Sequence, residues 1–303
     1  MRIVIALGGN ALLKRGEPLD VPTQRRNAQR AAASIATVVA GNELIVTHGN
    51  GPQVGLLALQ SAAGGDAPYP LDVLGAQTEG MIGYMLEQEL MNAVGARRIA
   101  TLLTQTRVDP ADRAFDHPTK FIGPVYAADE AKRLAAERGW RIAPDGERWR
   151  RVVPSPEPTD IVEVGAIELL LVAGYLVICA GGGGIPVGLS AAGKYEGIEC
   201  VIDKDLTSEL LAERLRADCL VMLTDVPAVF LDWGKPQARE LRTATPAELA
   251  QYQFASGSMG PKIEAARRFA TSGPGRRACI GSLDDVAGIL AGTAGTTVSS
   301  RQA

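Results

Sequence analysis

The sequence predicts an α/β fold, a three-layer sandwich with a mostly parallel open sheet, two lobes and a small protruding subdomain. Short apolar runs rich in Val, Ile and Leu alternate with amphipathic helical patterns, which is typical of a parallel sheet covered by helices on both faces. Several runs end in glycine or a small polar residue before the next helix. At 303 residues the chain can bury a large core, and its 46% hydrophobic and 21% charged residues are typical of a globular protein.

The predicted elements follow one another along most of the chain. Buried strands are predicted at residues 2–7, 43–47, 98–103, 175–180, 219–223 and 277–280. Helices are predicted at residues 24–40, 76–94, 161–173, 208–215 and 261–271, with Thr159 and Asp160 as the start signal of the third. Strands that alternate with helices place ligand-binding loops at the carboxyl ends of the strands.

Residues 109–158 interrupt this alternation. They contain a Lys-Phe-Ile-Gly-Pro segment beginning at Lys120, a charged helical pattern, and a stretch rich in Arg, Val and Pro. An insertion of about fifty residues with its own turns is more typical of a small subdomain than of one structureless loop. We therefore expect a protruding subdomain here, with a lid as one possible role.

Charge and composition exclude several classes of function. The net charge of −3 and a pI near 5.6 indicate no basic face for nucleic acid or for an anionic membrane. The four cysteines show no metal-ligand spacing. No apolar run reaches about 18 residues, and the apolar run at the amino terminus is too short for a signal peptide. We expect a cytoplasmic protein with no nucleic-acid or membrane partner.

Three glycine clusters lie at predicted strand ends. Gly8, Gly9 and Asn10 follow the first strand, the string His-Gly-Asn-Gly-Pro-Gln-Val-Gly at residues 48–55 follows the second, and four glycines at residues 181–184 follow the fourth. One such cluster is often only a turn, but three at the same edge of a parallel sheet would surround one anionic site. The spacing matches neither a P-loop nor a dinucleotide fingerprint.

Lysines near these turns could offset the charge of a phosphoryl group. Lys120 lies in the insertion, Lys204 lies between two acids just before a predicted helix, and Lys262 follows a Gly-Pro helix opening. Each could instead be an ordinary surface lysine. Asp205 could orient Lys204 or cap the helix. No activated Ser, Cys or His–acid pair stands out, which favours direct transfer without a covalent intermediate.

These segments together resemble the amino acid kinase family. The matching segments are residues 7–11, 46–55, 118–124, 154–163, 180–186, 201–205 and 257–262. The string at 48–55 and the Lys120 segment are similar to the branch of that family that phosphorylates carbamate. Two departures stand out: Pro227 replaces an acidic residue usual in the family after Thr224-Asp225-Val226, and the ending at residues 294–298 keeps only part of the expected glycine–threonine pattern.

The resemblance implies an enzyme that interconverts carbamoyl phosphate and ADP with carbamate and ATP, with Mg²⁺, in arginine- or agmatine-type catabolism, as a homodimer. It implies a lobe at residues 1–215 for carbamate and carbamoyl phosphate, including the subdomain, and a nucleotide lobe at residues 216–303. The implied catalytic residues are Lys120, Lys204, Lys262, Asp205 and Asn10; the implied substrate-binding residues are Gly8, Gly9, Gly49, Asn50, Gly51, Gly181, Gly182 and Gly183; the implied nucleotide-binding residues are Thr224, Asp225, Val226, Tyr252, Met259 and Gly260. The resemblance identifies no metal ligands.

Two other interpretations remain open at this point. A related kinase of acetylglutamate, glutamate, aspartate or a phosphonate would share the glycine clusters, although the Lys120 insertion argues against an open amino-acid pocket. A nucleotide-binding regulator that kept the fold and lost the chemistry is the second, since a fold does not determine a function. The presence of Lys120, Lys204 and Lys262 argues against the regulator.

Overall fold

A computed structural model describes residues 1–13, 16–64, 68–255 and 257–300, without the side chains of Asn10 and Ala11. The strands are Arg2–Leu7 (β1), Glu43–His48 (β2), Ile99–Thr101 (β3), Gln105–Val108 (β4), Lys120–Tyr126 (β5), Arg141–Asp145 (β6), Arg148–Val153 (β7), Pro158–Ile161 (β8), Leu176–Ile178 (β9), Ile185–Leu189 (β10), Tyr195–Gly197 (β11), Cys219–Thr224 (β12), Val229–Leu231 (β13), Arg239–Leu241 (β14), Thr243–Ala244 (β15), Arg277–Ser282 (β16) and Thr296–Ser299 (β17). The helices are Gly9–Leu12 (α1), Val21–Ala36 (α2), Gly51–Ala63 (α3), Leu71–Val94 (α4), Ala128–Arg138 (α5), Val164–Val172 (α6), Lys204–Arg214 (α7), Pro246–Leu249 (α8), Met259–Thr271 (α9) and Val286–Ala291 (α10).

The core is an eight-stranded sheet in the order β15-β17-β16-β12-β1-β2-β9-β3. The six strands from β16 to β3 are parallel, and β17 pairs antiparallel with β16. Alternate side chains of β1 face opposite layers: Ile3 and Ile5 pack with α2 and α4, while Val4 and Ala6 pack with α6, α7 and α9. The predicted three-layer α/β sandwich with a mostly parallel sheet is therefore confirmed.

A separate three-stranded antiparallel sheet, β5-β7-β6, lies within the insertion and packs against α5. This sheet contacts α3 very closely, because a Cβ added to Gly55 would lie 1.9 Å from the Cα of Gly123. A further four-stranded sheet, β11-β10-β4-β8, and the β13–β14 pair complete the strands of the described residues. The division into a lobe at residues 1–215 and a lobe at residues 216–303 stays a prediction.

None of the five predicted helix starts matched: the helices predicted from 24, 76 and 261 begin earlier, at Val21, Leu71 and Met259. The structure shows the cause of the other two differences. Ile161 is the last residue of β8 and pairs with Thr106, so the helix predicted from 161 begins only at Val164. The helix predicted from 208 begins at Lys204, because Asp203 caps it by accepting hydrogen bonds from the N–H groups two and three residues later. Lys204 therefore opens α7 instead of preceding it.

Within the described residues, no helix combines the length and the apolar character that crossing a membrane requires.

Candidate active site

The turns after β1, β2 and β12 pack together at the carboxyl ends of these parallel strands of the main sheet. Leu7 lies in register with His48 on one side and with Leu223 on the other. The N–H of Gly8 donates to the Leu223 carbonyl at 2.9 Å, and a Cβ at Gly8 would lie 2.8 Å from that oxygen. The N–H of Gly49 likewise donates to the Leu7 carbonyl at 3.0 Å. The glycines at these turns thus allow the strand ends to approach more closely than a side chain would permit.

The third glycine cluster covers the second. Gly181–Gly183 form a short 3₁₀ turn, in which Gly182 has a φ of 68°. A Cβ at Gly181 would lie 2.4 Å from Nε2 of His48, and one at Gly182 would lie 2.1 Å from Nδ2 of Asn50. Asn50 is in turn held by a 2.8 Å hydrogen bond from its Nδ2 to Oγ1 of Thr78 in α4. The predicted substrate-binding glycines and Asn50 therefore meet in one place, and Gly51 opens α3 beside them.

A buried carboxylate joins two of the three predicted lysines. Nζ of Lys204 donates to Oδ1 of Asp205 at 2.6 Å, and Nζ of Lys262 donates to Oδ2 of the same residue at 2.9 Å. The side chains of Lys204, Lys262 and Asp205 are only 9%, 10% and 6% exposed. Asp205 lies in the first turn of α7 and Lys262 in the first turn of α9, so the packing of these two helices creates the cluster.

Burial and charge act in opposite directions on this cluster. Burial works against the charged carboxylate of Asp205, but the two ammonium groups outweigh it and hold the pKa of Asp205 well below its usual range. Burial lowers the pKa of Lys204. For Lys262 burial also disfavours the charged form, but Asp205, with Asp203 and Asp225, outweighs it and raises the pKa. We infer that Lys262 and Asp205 form the ionised pair at neutral pH and that Lys204 is the more weakly held cation.

Lys120 reaches this cluster from the three-stranded sheet. Its Nζ donates to Oδ2 of Asp203 at 2.5 Å, while Oδ1 of Asp203 caps α7. The side chain of Lys120 is 28% exposed, more than the other two lysines. The structure thus brings Lys120, Lys204, Lys262 and Asp205 together. The pairs Lys120–Asp203 and Lys262–Asp205 join residues that are 83 and 57 positions apart in the chain.

The predicted nucleotide-binding residues lie around the start of α9 and the end of β12. Met259 and Gly260 open α9, the helix that carries Lys262. Thr224 ends β12, where its hydroxyl donates to Oδ1 of the exposed Asp225 at 3.1 Å.

Three predicted residues remain: Tyr252 and Val226 from the nucleotide-binding set, and Asn10 from the catalytic set. Tyr252 is 42% exposed and follows α8, where its N–H donates to Leu249 O at 3.3 Å. Val226 is half-buried, and the neighbouring Pro227 is exposed. The side chain of Asn10 lies outside the described residues, and its role stays a prediction.

Glu79 is a site residue that the sequence interpretation missed. From α4, its Oε1 accepts the Gly181 N–H at 2.7 Å and its Oε2 accepts the Thr104 N–H at 3.0 Å. The residue is only 2% exposed, and burial raises its pKa to about 8 despite these two hydrogen bonds. A glutamate in the middle of a helix has no sequence feature that distinguishes it from a surface residue, although its spacing from buried Ile82 and Leu86 places it on the buried face.

His48 is an unsuitable general base. Complete burial, together with the nearby Lys204 charge, lowers its pKa to about 4 despite the opposing contact with Gly49, so the imidazole is neutral at pH 7. Its Nδ1 lies 3.2 Å from the Gly49 carbonyl, an acceptor, so Nδ1 carries the proton. The imidazole ring packs directly against Gly181 and stabilises that turn.

Comparison with known proteins agrees with this geometry. The model of the amino acid kinase family matches residues 1–282. A carbamate kinase of Haemophilus influenzae is 55% identical over 99% of this chain and 97% of its own length, and one of Rhizobium meliloti is 52% identical over 99% and 94%. The structure of a carbamate kinase from Giardia lamblia bound to AMP-PNP superposes with a TM-score of 0.87 at 43% identity, covering 98% of both chains. This chain belongs to the amino acid kinase family, in the branch formed by the carbamate kinases.

Proposed function

We propose that this chain catalyses reversible phosphoryl transfer between carbamoyl phosphate and ADP, giving carbamate and ATP. The observation that carries the proposal is the buried Lys204–Asp205–Lys262 cluster beside the glycine turns. The identity to carbamate kinases over almost the whole chain supports the same reaction and argues against both alternatives considered above.

The proposed reaction breaks the bond between phosphorus and the carbamate oxygen and forms a bond from phosphorus to an oxygen of the ADP β-phosphate. Catalysis of such a transfer rests on positioning and on offsetting negative charge. The N–H groups of Gly8, Gly49, Gly181 and Gly183 donate within the protein. In the same three turns, the backbone N–H groups of Gly9, Asn50, Gly51 and Gly182 would therefore hold carbamate and the moving group. Lys204 and Lys262 would offset charge on the phosphoryl oxygens, with Asp205 orienting both ammonium groups.

Lys120 would contribute a third cation from the insertion. Since Asp203 holds it beside α7 while leaving it partly exposed, Lys120 can exchange this carboxylate for an anionic substrate. The nucleotide would lie near Thr224, Asp225, Val226, Tyr252, Met259 and Gly260, in the proposed carboxy-terminal lobe at residues 216–303. The lobe at residues 1–215 would bind carbamate and carbamoyl phosphate.

We propose that Mg²⁺ binds together with the nucleotide. In the described residues no group of three or more His, Cys, Asp or Glu side chains could hold a metal. Both oxygens of Asp205 already accept from lysines. This donor set fits an ion bound mainly by phosphate oxygens and water, which is the usual state of Mg²⁺ at nucleotide sites. Bound in this way, Mg²⁺ would neutralise phosphate charge, and we assign it no protein ligand.

We further propose a cytoplasmic homodimer that acts in arginine- or agmatine-type catabolism. Strand β3 is one edge of the main sheet, flanked by α4 and by α6, which packs against β9. Tyr84 and Met91 on α4 are 56% and 44% exposed, while Leu169 and Val172 on α6 are 74% and 75% exposed. Large apolar side chains on both sides of one sheet edge favour a two-fold contact there.

Light scattering tests the dimer. Leu169→Arg should convert a dimer to monomer, whereas Tyr195→Arg, which changes an exposed residue on β11, should leave the mass unchanged. A monomeric parent protein would contradict the proposal.

The activity is tested by a coupled assay for ATP formed from carbamoyl phosphate and ADP, run beside ATP-dependent phosphorylation of acetylglutamate, glutamate and aspartate. Lys204→Met and Lys262→Met should each lower turnover by about 10²–10³-fold. Lys235→Met is the matched control, because its side chain is 60% exposed and pairs with a surface aspartate. No ATP from carbamoyl phosphate, or near-normal turnover in both cluster variants, would overturn the proposal.

A further inference from the structure

A cavity of about 490 Å³ lies between the three-stranded sheet and the body of the molecule. On the body side it is lined by Ala62 of α3, by Leu74 of α4 and by Tyr69, which precedes α4. On the other side it is lined by β6, β7 and the turn after α5, including Trp140 and Arg151. The candidate catalytic lysines are not among the described lining residues, so this subdomain cavity is separate from the active site.

The charge of the subdomain cavity is predominantly positive. Among the described lining residues, the charged ones are Arg138, Arg141, Arg151 and the acid Glu199. Arg141 is engaged elsewhere, because its Nη1 donates to the Asp116 carbonyl at 2.8 Å, and Oε2 of Glu199 accepts the Leu71 N–H at 2.6 Å. Arg138 and Arg151 make no hydrogen bond or ion pair with any residue that the structure describes. In the described part of the chain, two guanidinium groups of the cavity are therefore left without a protein acceptor.

Arg151 is unusual among these residues because it is largely desolvated. It is half-buried, and burial lowers its pKa although Glu199 acts in the opposite direction. Its guanidinium carbon lies 4.9 Å from the centre of the Trp140 ring, and that of Arg138 lies 5.1 Å from the same ring. The indole holds both cations in place but supplies no anion. A buried guanidinium gains most from a carboxylate or phosphate that accepts two of its N–H groups.

We propose that the subdomain cavity binds a small organic anion that has one carboxylate or phosphate group and an apolar, preferably aromatic, body. The anionic group pairs with Arg151 and Arg138, and the body packs against Trp140, Leu74 and Val153. A volume of about 490 Å³ lies within the usual range for small-molecule sites.

Such a ligand would contact the sheet that carries Lys120. Strands β5 and β7 pair so that Val153 is opposite Lys120 and Arg151 is opposite Ile122. An occupant of the cavity touches β7 and also α3 and α4. It would therefore restrict movement of the three-stranded sheet against the body, at a place distinct from the proposed carbamoyl phosphate site.

Calorimetric titration of the full chain with phenyl phosphate tests the site, with inorganic phosphate and phenol as ligands that carry only one half of the proposed chemistry. We expect phenyl phosphate to bind at least about tenfold more tightly than either, since an apolar contact and a charged hydrogen bond each contribute about that much. Absence of phenyl phosphate binding, or equal binding of inorganic phosphate, would overturn the proposal.

Two variants locate the binding. Arg151→Met should weaken phenyl phosphate binding by about tenfold or more, whereas Arg148→Met, at an exposed position of the same strand that does not line the cavity, should not. Ala62→Phe fills the cavity from α3 without a change of charge and should weaken binding as well. Binding that survives both Arg151→Met and Ala62→Phe would lie elsewhere, for instance at the phosphoryl site, and would refute the assignment. Because these are binding measurements, their outcome does not depend on the proposed activity.

Discussion

Replacing Asp205 with Asn tests the central feature of the site. Two ammonium groups donate to this carboxylate at 2.6 and 2.9 Å, and all three side chains are at most 10% exposed. The amide of Asn has one oxygen that can accept from one lysine, while its NH₂ group, a donor, faces the ammonium group of the other lysine. Because water hardly reaches the cluster, removing one member of a buried ion pair costs about 3–5 kcal/mol. That loss is a large share of the ~5–15 kcal/mol that stabilises a typical protein.

Urea unfolding followed by circular dichroism measures this loss at pH 7. The control is Glu137→Gln, which breaks an exposed pair with Arg133 one helical turn away and should cost no more than about 0.5 kcal/mol. Added sulfate should raise the unfolding midpoint of Asp205→Asn more than that of the parent, since an anion can replace the lost carboxylate. A loss below about 1 kcal/mol in Asp205→Asn would refute the inference that the two lysines depend on this charge.

The pH dependence of that difference has a definite sign. The folded-state pKa of Asp205 lies below its ordinary value of 3.8. The stabilisation from its carboxylate is therefore fully present above the unfolded-state pKa and is lost as the pH falls through the folded-state pKa. The gap in stability between the parent and Asp205→Asn should be complete at pH 7 and should shrink below about pH 4.

Three further predictions concern Lys120, Glu79 and Gly55. Lys120→Met should lower turnover by about tenfold or more while its urea midpoint stays near that of the parent, because this lysine is partly exposed; unchanged turnover in the coupled assay would leave the insertion with a structural role only. The pKa of Glu79 is raised to about 8, so the stabilisation from its protonated carboxyl group is present below the unfolded-state pKa and is lost as the pH rises through 8. Between pH 5 and 9, Glu79→Gln should therefore lose less stability than the parent protein. Parallel curves of stability against pH for the two proteins would contradict this. Gly55→Ala should destabilise the protein by roughly 2 kcal/mol or more in thermal unfolding, because the new Cβ would lie 1.9 Å from the backbone of Gly123. The control Gly80→Ala, in open space on α4, should stabilise it by about 0.4–1 kcal/mol. A Gly55→Ala variant of unchanged stability would show that the three-stranded sheet can shift away from α3.

The sequence predicted the layers of the fold correctly because strand and helix periodicities are local. The apolar run of β1 and the amphipathic pattern of α9 are readable in a few consecutive residues. Helix starts were less predictable, since they depend on competition between neighbours. Asp203 displaced the expected start of α7 by capping it, and pairing with β4 drew Ile161 into a strand.

Residue types near the site were also readable from the sequence. One glycine cluster or one lysine has many ordinary roles, but three glycine clusters at the same end of parallel strands, with lysines nearby, together indicate an anion site. Glu79 could not be recognised in this way. Its function in the structure comes from two N–H groups, of Thr104 and Gly181, that lie 25 and 102 residues away in the chain.

The sequence by itself determined the α/β class, the glycine turns and the identities of the three lysines, since these depend on local pattern and composition. Only the tertiary structure decided that Lys204 and Lys262 share Asp205, that Lys120 pairs with Asp203, and that Glu79 supports Gly181. The physical reason is that a charge becomes a strong interaction only where water is removed and a partner lies within about 3 Å. Both conditions arise when distant segments pack, and no local pattern encodes them.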